Sequence, residues 1–492
     1  MLSYKNLLSS KSLKTKSIFL FLGKLSGFIV NFLIPIVLVR FISKSDFGYF
    51  QQFNLLFTSI VLISTLWINS SLYYFFPEKS KLEKSMYFKI VLSIKTIIWF
   101  LMLLGFILFK DNLLAYLEIT NFDSFSSYII ITLFFLMMSS SLEVLFILDD
   151  KKLHNLLYFS FDRIAKAMLI FLLVISYSIK GIIISFLLYS MLRFLYTVFY
   201  TKNYLTEIFN KKLYKEKFIK LIKYSLPFGV GLMSQNFALR IDQFVLLNYV
   251  NASDFAIYSI AFYSIPLINY ILSSINNIAM PELTKMAIAN NKNLVLNLWN
   301  KIIKKNISIT VPALGFFYFF ANEIIIILFT DSYIESVKYY RIYIFSIILT
   351  STSYGLVLRA ANLTKKVMFA NLVGLFVSTI SAIYLIPTYA MEGAIITAMI
   401  AYLIPISIQI FFEIKYLESS FFKVIPSLSF IKNILITISA LLLMTFVEEF
   451  FNNTLIKLII CFIIFSLIVT ALQYISGIFI FQKELKKLID KN

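Results

Sequence analysis

Long runs of apolar residues, broken by short clusters of lysine, serine and asparagine, recur along the whole chain. A helix of about 20 apolar residues crosses about 30 Å of hydrocarbon. Inside hydrocarbon a helix satisfies its own backbone groups, which an open sheet cannot do. The pattern predicts fourteen spans: 17–39, 50–76, 87–109, 125–148, 157–179, 181–200, 224–250, 255–280, 303–329, 339–357, 367–386, 391–412, 430–450 and 455–480. The polar segments between them alternate in charge. Segments 1–16, 77–86, 149–156, 201–223, 281–305, 358–366, 413–429 and 481–492 hold thirty Lys and Arg residues, and the seven intervening turns about five. By the inside-positive bias both termini are cytoplasmic. The run from Ser17 is too long for a signal peptide and lacks a small-residue cleavage pattern, so it reads as a retained first helix.

The pattern also repeats. "VLVRFISKSDFGYF" from Val37 aligns without a gap on "VLLNYVNASDFAIY" from Val245, at an offset of 208. At that offset Asn69 falls on Asn277, and "PEKSK" from Pro77 is followed later by "PELTK" from Pro281. Six helices lie between the matched points, an even number, so the two copies enter the membrane in one orientation as a parallel repeat. Ser45 and Ser253 are placed to cap the next helix, with Asp46 and Asp254 in its first turn, facing the positive end of the dipole. The expected fold is all-α and polytopic. It has an N-terminal six-helix lobe (1–200), a basic linker (201–223), a second six-helix lobe (224–412), a linker (413–429), and two further helices with a basic tail (430–492).

Composition agrees with the membrane reading: 60% of residues are hydrophobic and 14% charged, against roughly 45–50% and 25% in soluble domains. The net charge of +20 is spread over many short loops and suits anionic lipid headgroups, with no continuous basic domain to track a nucleic acid. The lone Cys461 excludes an intramolecular disulfide or a cysteine metal cluster, and the single His154 lies in a polar loop. No cofactor or metal site is expected. No Walker-type phosphate loop is present, and no loop is long enough for an ATPase domain.

Charged residues inside predicted spans change the picture further. In the first lobe Lys24, Lys89, Lys95, Arg163, Lys166 and Arg193 are opposed only by Glu143 and Asp162. Charge at membrane depth marks a wet or ligand-filled passage. Lys89, Arg163, Lys166 and Arg193 lie near enough to the interface to snorkel, and Asp162 and Lys166, four residues apart, could pair. Lys24 and Lys95 lie deeper.

The richest segment is "SQNFALRIDQF", residues 234–244. Asn236, Arg240 and Gln243 follow helical spacing and form one stripe. Asp242 lies two residues from Arg240, so each needs a partner on another helix. Asn31, Asn69 and Asn276 add polar capacity that serves a passage or holds helices together. The cationic excess points to an anionic substrate. Arg grips phosphate as a fork and Lys as a point charge, and a phosphate-bearing lipid could keep its tail in the bilayer.

"LVRFISKSDFGYF" from Leu38, the cationic loop after the second span, and "YLIPTYAMEGAIITAMIAY", residues 384–402, resemble bacterial polysaccharide-biosynthesis transporters. They are similar to the O-antigen and capsule flippase branch of the multidrug, oligosaccharidyl-lipid and polysaccharide exporter superfamily. Where that family has YGIxGAAIAT, this chain has YAMEGAIITA, residues 389–398, with Ala390 replacing the first Gly. The resemblance implies two six-helix lobes, a central cavity and two extra C-terminal helices. It implies alternating access that moves an undecaprenyl-diphosphate-linked oligosaccharide to the outer leaflet of a bacterial inner or plasma membrane, without catalysis. A proton or sodium gradient could drive the cycle, and polysaccharide-assembly enzymes are conceivable partners.

Three other readings stand beside it. A multidrug cation antiporter of the same superfamily predicts dominant buried carboxylates and twelve helices. A glycosyltransferase or polysaccharide polymerase would carry a large catalytic loop. A lipid-binding scaffold would have little use for an interior polar stripe.

Overall fold

The computed structural model describes residues 27, 29–76, 80–116, 126–149, 152–209, 215–263 and 266–478. These residues are helical and contain no strand. They fall into two compact units: residues 1–237 with 244–256, and residues 238–243 with 257–492.

In chain order the helices are α1 (Ile29–Leu38), α2 (Lys44–Phe75), α3 (Lys81–Tyr116), α4 (Ser126–Ser139), α5 (Leu142–Leu148), α6 (Lys152–Phe209), α7 (Lys215–Ala238), α8 (Ile241–Leu246) and α9 (Ala252–Ala261). There follow α10 (Pro266–Ile288), α11 (Lys292–Phe319), α12 (Ala321–Phe329), α13 (Ser336–Thr350), α14 (Leu356–Ala360), α15 (Thr364–Leu417), α16 (Phe421–Val424), α17 (Ser427–Glu448) and α18 (Thr454–Ile475).

The expectation of fourteen membrane helices in two six-helix bundles is overturned. Among the described residues seven helices are long and apolar enough to cross a membrane, or eight if the bent pair α11–α12 counts as one span. No two six-helix bundles are formed by them. The physical reason is that hydropathy measures the length of an apolar run and is blind to breaks within it. The run 125–148 is interrupted at Ser140–Ser141, between α4 and α5, yet still supplies one of the seven spans. The run 224–250 is cut at Leu239–Arg240, between α7 and α8. The run 303–329 bends by 73° at Phe320. The runs 157–179 and 181–200 are the two arms of α6, of which the second is counted among the seven, and 367–386 and 391–412 are the two arms of α15, counted as one. Of span 17–39, residues 17–26 and 28 lie outside the described residues.

Both long elements are hairpins. Ser178 (φ 49, ψ −128) interrupts α6 and Ala390 (φ 43, ψ −118) interrupts α15. A Cβ on Gly181 would overlap the Leu173 carbonyl, and one on Gly393 would lie 2.5 Å from the Leu385 carbonyl carbon. Eight residues of straight helix span about 12 Å, so such contacts require the chain to turn back on itself. In α15 the two arms are joined by the Ser381 and Thr397 hydroxyls, 3.1 Å apart, and by Pro405 against Gly374.

The repeat survives in pieces smaller than a bundle. The pairs Ser141 and Ser353, Ser178 and Ala390, and Gly181 and Gly393 share one spacing along the chain, and each pair marks the same feature in its unit. The echoed corners also match, two residues earlier than Ser45 and Ser253. Ser43 Oγ accepts the Asp46 N–H at 3.0 Å while its hydroxyl donates to the Asp46 carboxylate at 2.9 Å. Asn251 Oδ1 accepts the Asp254 N–H at 2.9 Å while its amide donates to the Asp254 carboxylate at 3.0 Å. Each pair satisfies an orphan helix donor and orients the carboxylate that lies over the positive helix end. Within the first unit, Gly48 lies against the Ala252 carbonyl where any Cβ would overlap it.

In the first unit the core joins Trp67, Ile68 and Leu72 of α2, Phe88, Ile90 and Val91 of α3, Leu145 of α5 and Leu221 of α7. Gly229 of α7 makes room for Trp67, whose Cβ would be 2.5 Å from an added methyl. In the second unit α17 and α18 pack on α11 and α12 through Phe316, Phe320, Met444, Cys461 and Phe465. Lys457 pins their ends, with its ammonium 3.0 Å from Glu323 of α12 and 3.6 Å from Glu448 of α17. The exposed Leu435, Leu442, Phe446 and Leu467 suit a lipid-facing side.

Candidate functional site

The reversal at Ser178 brings the two arms of α6 together, and with them residues far apart in sequence. Tyr189 Oη donates to Asp162 Oδ2 at 2.9 Å. The Asp162 side chain is 4% exposed, and its carboxylate faces Arg163 Nε at 3.7 Å and Arg193 Nε at 3.9 Å. Arg193 Nη1 donates to Tyr189 Oη at 3.4 Å, and its guanidinium lies 5.9 Å from the Tyr158 ring centre. The Lys166 ammonium stands 5.0 Å from the Phe186 ring centre and 6.0 Å from that of Tyr189. Three cations thus gather around one buried acid on an aromatic wall, and the surplus charge is positive. Cation–π contact lets the wall hold that surplus in place. The expected pairing of Asp162 with Lys166 gives way to pairing with Arg163 and Arg193.

Lys95 of α3, in the same unit, is fully buried. Its Nζ donates to Ser140 Oγ at 2.9 Å and to Ser141 Oγ at 2.6 Å, in the break between α4 and α5. Asn69 of α2 completes the knot. Its amide donates to Ser140 Oγ at 3.0 Å and its carbonyl accepts from Ser141 Oγ at 2.9 Å. The second unit ties the same knot with neutral groups: Asn306 Nδ2 donates to Ser353 Oγ at 2.7 Å, and Ser353 Oγ donates to Asn276 Oδ1 at 2.7 Å. Asn69 and Asn276 therefore join helices.

The stripe expected from Asn236, Arg240 and Gln243 is broken, because α7 ends at Ala238 and α8 starts at Ile241. Asn236 donates to the Leu232 carbonyl of its own helix at 2.8 Å. Arg240 occupies the turn and is half-buried, as is Gln243. Asp242 is fully buried and accepts from Tyr258 Oη at 2.6 Å. Asn31 on α1 is half-buried, and Lys24 lies outside the described residues.

Sequence reading missed Tyr158 and Tyr189, which carry no signal until the α6 register is known. It also missed Glu413, assigned to a loop. Glu413 is fully buried near the end of α15 and accepts the Val357 N–H at 3.0 Å, which caps the short α14. Among the described residues no group of three or more His, Cys, Asp or Glu could hold a metal ion.

The fold that these elements make is shared with solved structures of transporters. The chain is similar to a solved structure of the lipid II flippase MurJ in an inward closed conformation, with TM-score 0.74 and 16% identity over 94% of this chain and 98% of that one. It is also similar to an inward-facing multidrug resistance MATE family transporter of the MOP superfamily, with TM-score 0.64 and 12% identity over 80% of this chain and 94% of that one. A third likeness is to a MOP superfamily transporter from Pyrococcus furiosus, with TM-score 0.55 and 13% identity over 84% of this chain and 98% of that one. An uncharacterized membrane protein of Methanocaldococcus jannaschii is 25% identical over 278 residues, which are 55% of this chain and 52% of that protein. The chain thus spans about half the length of the curated relative it matches. Residues 13–287 match the family of polysaccharide biosynthesis proteins, and the chain belongs to that family.

Proposed function

We propose that this chain moves an undecaprenyl-diphosphate-linked oligosaccharide from the cytoplasmic to the outer leaflet of a bacterial inner or plasma membrane by alternating access, with both termini cytoplasmic. The observation that carries the reading is the α6 cluster, where Arg163, Lys166 and Arg193 outnumber the single Asp162 within an apolar hairpin. A diphosphate needs a surplus of positive donors that hold it without water, and guanidinium forks beside an ammonium supply that chemistry. Aromatic faces beside the cations supply surface on which sugar rings can pack. Membership of the polysaccharide biosynthesis family and the fold shared with a lipid II flippase support the same substrate class.

The test is reconstitution in vesicles with a fluorescent undecaprenyl-diphosphate oligosaccharide, scored by quenching from the outer face. Protein-dependent loss of protection is expected, and it should fall sharply in the double variant Lys166→Gln, Arg193→Gln. A rate equal to that of empty vesicles would refute the reading, and export of a small organic cation in the same vesicles would replace it with the antiporter.

A further inference from the structure

The knot around Lys95 carries a second inference, independent of which lipid crosses. Hydrogen-bond directions within it are fixed by neighbouring groups. The Ser140 hydroxyl spends its proton on the Met137 carbonyl at 2.7 Å and accepts from Asn69 Nδ2. The Ser141 hydroxyl spends its proton on Asn69 Oδ1. Both serines can therefore only accept from Lys95, and the lysine nitrogen is called on for two protons.

A neutral amine has two to give. An ammonium has three, and among the described residues no acceptor is recorded for the third. Nor, among the described residues, is a carboxylate recorded against Lys95: Asp162 on α6 is taken by Tyr189, Arg163 and Arg193, and Glu143 on α5 has contacts of its own. From α2 the lysine meets the amide of Asn69, and from the turn after α4 it meets hydroxyls. Arg193 on α6 is the charged group whose field reaches it, and that charge has the same sign. An isolated charge in such surroundings is far costlier than a neutral polar group that is hydrogen-bonded. The second unit shows what architecture alone requires here, because Asn306 ties the equivalent knot with an uncharged amide.

We propose that Lys95 is a proton-exchange site: it is a neutral amine in this conformation, and it binds one proton per chain when the knot opens to water. The binding step forms one N–H bond at the amine lone pair, with the proton supplied by hydronium. Opening of this knot is thereby linked to a proton, while opening of the Asn306 knot, which holds no titratable group in the same place, is not.

The test is NMR of protein carrying lysine labelled with 13C at Cε and 15N at Nζ, in detergent at neutral pH. One lysine signal with the shift of an amine is expected, absent from both Lys95→Gln and Lys95→Arg, with the ammonium signals of the other lysines retained. Lys95→Gln imitates the amide of the second unit and should keep the knot tied. Ammonium shifts for every lysine of the wild-type protein would overturn the proposal. So would an amine signal that survives both substitutions. If neither variant folds, the wild-type spectrum alone decides. Lipid movement does not enter the measurement, so its result and that of the flippase assay stand apart.

Discussion

Ala390 is held at φ 43, ψ −118 to turn α15 back on itself. A side chain at positive φ crowds its own backbone, and a residue in a sparsely populated region costs on the order of 1–3 kcal/mol. Glycine enters the same region without that cost, but it loses more chain entropy on folding, about 0.4–1 kcal/mol relative to alanine. The substitution Ala390→Gly is therefore expected to stabilise the protein by up to about 2.5 kcal/mol, the strain relieved less the entropy lost. In units of this size that corresponds to a rise of roughly 2–4 °C in midpoint per kcal/mol. Ala390→Val should move the midpoint down, because branching at Cβ worsens the crowding at positive φ. Thermal denaturation in detergent, read by loss of the monodisperse peak, measures both. A fall for Ala390→Gly together with no change for Ala390→Val would refute the assignment of strain to this reversal. Glycine is also the residue that the resembling family pattern carries at this point.

Gly393→Ala should destabilise by about 1–3 kcal/mol, since its Cβ would meet the backbone of Leu385 rather than a movable side chain, and the same melting assay checks it. Asn306→Leu removes the donor to Ser353 Oγ and the Ser351 carbonyl inside the second unit, a loss of about 1–3 kcal/mol measured in the same way. Asp162→Asn keeps an acceptor for Tyr189 but strips the counter-charge from Arg193. It should cost about 3 kcal/mol of stability while tightening the binding of an undecaprenyl diphosphate probe, with calorimetry reading the affinity. Weaker binding in that variant would mean that the cluster does not receive an anion.

The membrane character and the echoed corners were legible because they rest on local properties: apolar density and a polar cap at a fixed place. The breaks were not. Ser139, Ser140 and Ser141 end a helix inside an apolar run, yet Ser139 and Ser140 also bond back to carbonyls of α4, as serines within an unbroken membrane helix do, so only the partners Lys95 and Asn69 mark the break. Arg163, Lys166 and Arg193 were legible as cations within apolar runs. Their assembly around Asp162 was not, because it depends on the register in which the two arms of α6 meet after Ser178. Arg240 and Gln243 were placed on a stripe by helical spacing, and that spacing lapses at Leu239, where α7 has ended. Glu413 was misread for the converse reason: the apolar run stops at Phe412, but the helix continues to Leu417 and carries the carboxylate to the start of α14.

The contact of Gly48 with the Ala252 carbonyl ties one copy of the echoed corner to the other inside a single unit. Copies of a duplicated segment are ordinarily free to drift apart, each answering to its own surroundings. Here a side chain acquired by one must be met by a retreat of the other's main chain, so the two share a clearance that neither can change alone.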